Sequence, residues 1–287
     1  MYQPLYSIEF NADSKEFNPY QLKYVEDIDE DFIPSGWNKL VEAPKTCTAY
    51  DLLTSDNEKK ISTTIEGLDF ALDGGFSVGQ INEFTGKPGS GKTQLCFRIC
   101  VKFLLSNNET NVLFLSTNHN FASQRIEDLI KSSNEFQNAR DELKNMLLVK
   151  LMKRIKIFEV QDITDLLASV KYLEYNQDYA QHLGIVFIDS IFIPFKELEQ
   201  NERTSYIFRF YSNLQRLSTV TKLTVIVTNS ITTVFNVPGE FTYFGSSYLH
   251  RLNIRIKLER LGQTMFKAKI DKCPYLCKSQ SFNFSIV

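Results

Sequence analysis

From Ile61 onward the chain alternates two hydrophobic patterns. Short runs rich in β-branched and aromatic residues, Ile81–Thr85, Val112–Ser116, Ile155–Val160, Ile185–Ile188 and Leu223–Thr228, have the character of strands buried on both faces. Helical stretches lie between them. Thr93–Leu105 is apolar nearly all round (Leu95, Phe97, Ile99, Val101, Phe103, Leu104), which predicts a buried helix. This alternation predicts an α/β fold with a mostly parallel sheet flanked by helices. In the tail, Leu252–Leu258 and Met265–Ile270 alternate more regularly and predict antiparallel strands at one sheet edge. Residues 1–45 differ: Glu26, Asp27, Asp29, Glu30 and Asp31 cluster among scattered Tyr, Phe and Pro, with no sustained period. The expected organisation is an acidic extension or small subdomain over 1–45, a linker over 46–60 and the core over 61–287.

Composition narrows the class. At 287 residues, 43% hydrophobic and 23% charged, the chain can bury one large core and is not of disordered type. It has no apolar run near the roughly 18 residues a membrane span needs, and no basic-then-apolar leader at Met1–Phe10. The expectation is a cytoplasmic or nuclear protein with no membrane partner. A net charge of −2 argues against coating DNA by bulk charge. Five cysteines form no complete disulfide framework and fit a reducing compartment. Cys96 and Cys100, and Cys273 and Cys277, are each four apart; two buried helical thiols and two near a late turn fit this spacing better than a four-thiolate zinc site.

Gly86-Lys87-Pro88-Gly89-Ser90-Gly91-Lys92-Thr93 satisfies the P-loop pattern, with a predicted strand before it and a helix after it. Its glycines let the backbone wrap around phosphates with N–H groups pointing inward. The helix start adds the positive end of its dipole. Lys92 is placed to reach the β and γ phosphates, and the Thr93 hydroxyl to ligate Mg²⁺. The cofactors implied are ATP and Mg²⁺. Downstream, the apolar strand Ile185–Ile188 ends in Asp189, the expected second element holding the metal.

The run Thr64–Asp69, Leu72–Gly75 and Gly79–Ile81 leading into the P-loop resembles the core entry of RecA-like ATPases, in particular the eukaryotic and archaeal DNA recombinases and their paralogues. Leu113–Thr117 with Phe121 and Arg125 resembles the strand and turn that carry the family's catalytic acid. Val225–Asn229 resembles the strand ending in its Asn-Gln sensor, and Gly245, His250 and Arg255 the segment after its second DNA loop. Thr48-Ala49 with Leu52 and Leu53 resembles the interdomain linker. The resemblance covers about residues 46–287 and implies a RecA-like P-loop NTPase core.

Departures from the pattern shape the functional expectation. The position of the family's acid falls on Asn118, and an amide cannot accept a proton from attacking water; losing a general base costs about 10²–10⁴ in rate. The sensor Gln falls on Ser230. The first DNA loop reads Lys196-Glu197-Leu198-Glu199-Gln200-Asn201-Glu202, and the second, Ile231–Phe244, holds no Lys or Arg. Such loops bind a phosphate backbone weakly, and Phe235, Phe241, Tyr243 and Phe244 are expected to pack on protein more than on bases. The basic cluster Lys150, Lys153, Arg154 and Lys156 reads as a solvated strand entry. The aromatic that anchors the family's filament contact falls on Thr46, and the preceding helical DNA-binding domain is not recognisable in 1–45.

The resemblance therefore implies a recombinase paralogue: a nuclear, ATP-binding accessory subunit of homologous recombination and double-strand-break repair. Its partners would be other paralogues and the main recombinase, with single-stranded DNA met mainly through the complex. His250 and Arg255 would support the subunit interface, where Lys272 would either reach a neighbour's phosphate or remain a solvated turn lysine. The alternative is an active DNA-dependent ATPase or strand-exchange recombinase. A small-molecule kinase is the third reading.

Overall fold

The structure, a computed structural model, describes residues 48, 50, 60–118, 121–196, 198–232, 241–242, 244, 248–274, 276 and 279–286. The chain divides into two units, Met1–Asn57 and Glu58–Val287. The expectations for residues 1–45, Thr46, Phe235, Tyr243, Gly245 and Cys277 lie outside the described residues.

In Glu58–Val287, α1 (Glu66–Ala71) precedes β1 (Ile81–Gly86), and α2 (Lys92–Ser106) leads to β2 (Asn111–Ser116). Helices α3 (Ser123–Lys131), α4 (Asn134–Gln137) and α5 (Asp141–Lys153) connect to β3 (Ile155–Glu159). Then come α6 (Ile163–Tyr175), α7 (Gln177–Gln181), β4 (Leu183–Asp189), α8 (Phe192–Lys196), α9 (Gln200–Thr221) and β5 (Thr224–Thr232). The two-residue β6 (Phe241–Thr242), a 3₁₀ turn at Leu249–Arg251, β7 (Ile254–Arg260), β8 (Met265–Lys272) and β9 (Ser281–Ser285) complete the described elements.

The main sheet runs β3-β2-β4-β5-β1-β7-β8-β9, with β6 pairing beside β5. Every pairing from β3 to β7 is parallel, and β8 and β9 add antiparallel strands. Alternate residues of each central strand feed two cores. Phe84, Phe114, Phe187 and Ile256 face a cluster with α2, whereas Ile81, Leu115, Val186 and Val227 face one with α6 and α9. A strand covered on both sides must be apolar on both, hence the unbroken hydrophobic runs of β2, β4 and β5. In α2, Leu95, Cys96, Phe97, Ile99, Cys100, Val101 and Leu104 are all buried. Burial pushes the Cys96 and Cys100 thiols up, so both stay protonated and apolar in character.

Four departures from the sequence pattern have physical causes. Ile155–Glu159 is an edge strand, and Ile157 is exposed rather than buried on both faces. The tail's first strand pairs parallel with β1, and only β8 and β9 run antiparallel. Leu252 precedes that strand, while Ser281–Ser285, with its Phe282 and Phe284 alternation, forms a further strand. Arg154 is not a solvated strand-entry residue: its guanidinium is buried and donates to the carbonyls of Leu104, Asn107 and Thr110, tying the end of α2 to the start of β2. Among the described residues no helix is long and apolar enough to cross a membrane.

Candidate nucleotide site

The P-loop leaves the carboxyl end of β1, deep in the sheet between β5 and β7. Its glycines answer steric demands that differ by position. A Cβ on Gly86 would lie 2.4 Å from the Leu258 carbonyl and 2.5 Å from Ser90 Oγ, so the turn closes only on glycine. Gly89 and Gly91 sit at φ +77° and +88°, in the left-handed region that other residues adopt only at a cost. Gly91 then caps α2, whose first residues are Lys92 and Thr93.

Lys92 folds back over the loop. Its Nζ donates to the carbonyls of Gly86 (2.8 Å) and Lys87 (2.9 Å) and lies 3.4 Å from Ser90 Oγ. Burial lowers the Lys92 pKa, and the Asp189 charge works in the opposite direction. The loop thus holds an ammonium against neutral carbonyl oxygens, which phosphate oxygens can replace.

The pair predicted from sequence meets where the start of α2 packs against the end of β4. Thr93 Oγ1 donates to Asp189 Oδ2 at 2.7 Å, and Thr228 Oγ1 donates to the other carboxylate oxygen. A threonine hydroxyl that gives its proton to a carboxylate keeps its lone pairs for a cation. The donor set is therefore all oxygen, the type a hard ion such as Mg²⁺ takes. An open cleft of about 460 Å³ extends from this cradle. Its lining includes Arg125, whose Nε donates to Gln94 Oε1 at 2.9 Å, with Phe266 of β8 and Ile286, the residue after β9.

The expected catalytic rim is built differently. Thr117 N–H donates to the Asp189 carbonyl (3.1 Å), and its hydroxyl exchanges hydrogen bonds with Ser190. These contacts dock the end of β2 beside β4, and Asn118 follows, exposed, with no carboxylate to offer. Ser230 lies opposite Gly86 in the β5–β1 register. The sensor strand does not end there, as expected, but continues to Thr232. Asn229 is fully buried and turns away into a cluster with Glu83 and Tyr248.

Other candidates resolve in part. Much of the expected first loop is helical, with Lys196 ending α8 and Gln200–Glu202 opening α9. Phe244 is buried against the rings of Phe195 and Tyr248, as local packing requires. Arg255 pairs with Glu83 inside the core, while His250 is exposed beside the Phe208 ring. Lys272 is neither a solvated turn lysine nor extended outward. Its Nζ donates to the carbonyls of Leu249 (2.7 Å) and Leu252, and burial lowers its pKa. Thr228 and the C-terminal wall went unassigned in the sequence reading. Thr228 falls in the Val225–Asn229 strand, and the hint of the wall was the alternation of Met265–Ile270, which carries Phe266.

Comparison with known proteins agrees with this architecture. The family model described as Rad51 matches residues 56–281. The chain is 28% identical over 206 residues to the human DNA repair protein RAD51 homolog 2, a match covering 67% of this chain and 52% of that protein. It is 28% identical over 275 residues to DNA repair protein RAD51 homolog 3 of Cricetulus griseus, covering 85% and 74%. DNA repair and recombination protein RadA of Aeropyrum pernix is 25% identical over 247 residues, covering 82% and 74%. The chain spans about half the length of the homolog 2 relative. With nearly all of Glu58–Val287 matched and the P-loop in its strand-to-helix setting, this chain belongs to the Rad51 family.

Proposed function

We propose that this chain is an ATP- and Mg²⁺-binding accessory subunit of homologous recombination and double-strand-break repair, working in the nucleus. It assembles with other recombinase paralogues to load or stabilise the main recombinase on single-stranded DNA. The observation that carries this proposal is a contrast at one end of the sheet: a full phosphate cradle with the Thr93–Asp189 pair beside a rim that ends in Asn118. The relatives' description as DNA repair proteins supplies the pathway.

The chain's own residues divide the work. Gly86–Gly91 supply backbone N–H groups, Lys92 supplies charge to the phosphates, and Thr93 with Asp189 holds Mg²⁺, which neutralises phosphate charge when bound. Arg125, Phe266 and Ile286 flank the rest of the cleft. Asn118 can orient a water but cannot take its proton, so nucleotide serves assembly more than turnover. Anything that binds only the assembled form favours assembly by mass action.

Sedimentation and imaging of the pure protein with ATP and single-stranded DNA test this proposal. Short or no assemblies alone, and discrete complexes once a paralogue is added, are expected. Continuous filaments without a partner would establish the strand-exchange recombinase instead.

A further inference from the structure

Behind the P-loop, on the sheet face opposite Asp189, lies a second buried polar cluster that phosphate binding does not use. Glu83 stands three residues before Gly86 on β1, with its side chain wholly buried. Tyr248 OH donates to Glu83 Oε1 at 2.8 Å, and Asn229 Nδ2 reaches the same oxygen at 3.0 Å and Tyr248 OH at 2.9 Å, closing a triangle. Arg255 Nε faces the other carboxylate oxygen at 3.0 Å. Burial pushes the Glu83 carboxyl up, and Arg255, Asn229 and Tyr248 pull it back.

Each partner comes from a different element: β5, the residue before the 3₁₀ turn, and β7. Asn229 lies between two residues of the phosphate site, since Thr228 donates to Asp189 and Ser230 is registered opposite Gly86. Tyr248 opens a surface turn that is itself firmly held. Lys272 bonds its Leu249 and Leu252 carbonyls, Gln215 pairs with Arg251, and the Tyr248 ring stacks on Tyr211 at 5.2 Å. That turn presents the exposed His250.

We propose that Glu83, Asn229, Tyr248 and Arg255 form a buried clamp through which the P-loop strand and the surface turn at 248–252 sense each other's state. The clamp deepens the ATP-binding proposal and rests on it for the ligand. Its members are positioning residues. The physical basis is that a buried carboxylate tolerates little loss of its partners. A shift of β1 on phosphate binding must therefore carry Asn229 and Tyr248 with it or break hydrogen bonds out of reach of water. A partner subunit resting on the His250 turn would bias the cradle by the same route, because coupling between two binding sites is reciprocal.

The test is hydrogen exchange on the full chain, with and without Mg·ATP, for the wild type, Tyr248→Phe and Glu83→Gln. Both substitutions keep shape: Tyr248→Phe removes the hydroxyl and its bonds to Glu83 and Asn229, and Glu83→Gln removes the charge that Arg255 faces. In the wild type, ATP should slow exchange at the amides of Leu249, His250 and Arg251 by about fivefold or more, the low end of site–site coupling. In Tyr248→Phe the P-loop amides should still be protected by ATP while the turn no longer responds. Retention of the turn's response in Tyr248→Phe would overturn the clamp. A second readout needs no nucleotide: in the free protein, Tyr248→Phe should speed exchange at Phe84–Gly86, and unchanged rates there would also overturn it. A wild type that binds no ATP would defeat the ATP proposal alone, leaving the free-protein comparison to decide the clamp. Should Glu83→Gln not fold, Tyr248→Phe carries both arms.

Discussion

The ends of β1 and β2 lie at the carboxyl end of one sheet, with β4 and β5 between them, and they differ in what they offer a nucleotide. The end of β1 keeps every part a phosphate cradle needs, down to a glycine that admits no Cβ at position 86. The end of β2 keeps its packing, with Thr117 bonded to Ser190 and Asp189, and is followed by the exposed Asn118 at the position where the resemblance leads one to expect an acid. Scaffold and chemistry are therefore separable within one sheet. The hydrogen bonds that dock β2 hold it beside β4 and the Asp189 backbone, and they call for no proton transfer at the rim. On the proposed reading, a site without a base remains a binding site, because phosphate binding would draw on backbone N–H groups and Lys92, and metal binding on Thr93 and Asp189.

Turnover should break this contrast most visibly. The isolated chain is expected to hydrolyse ATP about 10²–10⁴ more slowly than a family member with an acid at this rim, and Asn118→Glu should recover part of the difference. Phosphate release measured with and without single-stranded DNA checks it; robust DNA-stimulated release that Asn118→Ala leaves unaltered would contradict it. On the β1 side, Lys92→Ala should weaken ATP binding by about 10–100-fold by calorimetry, the range for a charge-assisted contact. The fold should survive, since Lys92 contributes no core packing. Asp189→Asn should weaken Mg²⁺ dependence by about tenfold while leaving metal-free nucleotide binding nearly unchanged. It keeps a partner for Thr93 and Thr228 but removes the charge, and a magnesium titration reads the difference.

The smallest effect concerns protons. Burial depresses Lys92 in the free protein, and phosphates would raise it again in the complex. The complex therefore binds more protons between those two pKa values, so ATP affinity should fall as pH rises through the lowered free-protein value toward the ordinary lysine range. Calorimetry across alkaline pH should show the decline in the wild type, and Lys92→Arg, whose guanidinium does not titrate there, should flatten it.

Much of this was legible in the sequence, for reasons that differ by element. Strands β2, β4 and β5 announced themselves because burial on two faces favours apolar runs such as Val112–Leu115, Ile185–Ile188 and Val225–Val227. The P-loop was legible because its glycines and Lys92 stand at fixed spacing with a strand before and a helix after. Edge strand β3 was misread as doubly buried because an apolar run says nothing of how many neighbours it has. Arg154 and Lys272 were misread because a long cationic side chain looks solvated until the carbonyls it caps are known, and those lie far away in sequence. The Glu83 cluster left almost no trace: a lone acid in a strand becomes meaningful only when Asn229, Tyr248 and Arg255 converge on it.

The most direct measurement is the identity of nucleotide retained by the chain. The purified protein is incubated with Mg·ATP, freed of unbound ligand, denatured, and its bound nucleotide separated by chromatography. The expected result is nucleotide in amounts matching the protein and recovered as ATP, with Lys92→Ala retaining almost none. Recovery chiefly as ADP would contradict the separation of binding from turnover, and equal retention by wild type and Lys92→Ala would contradict the site itself.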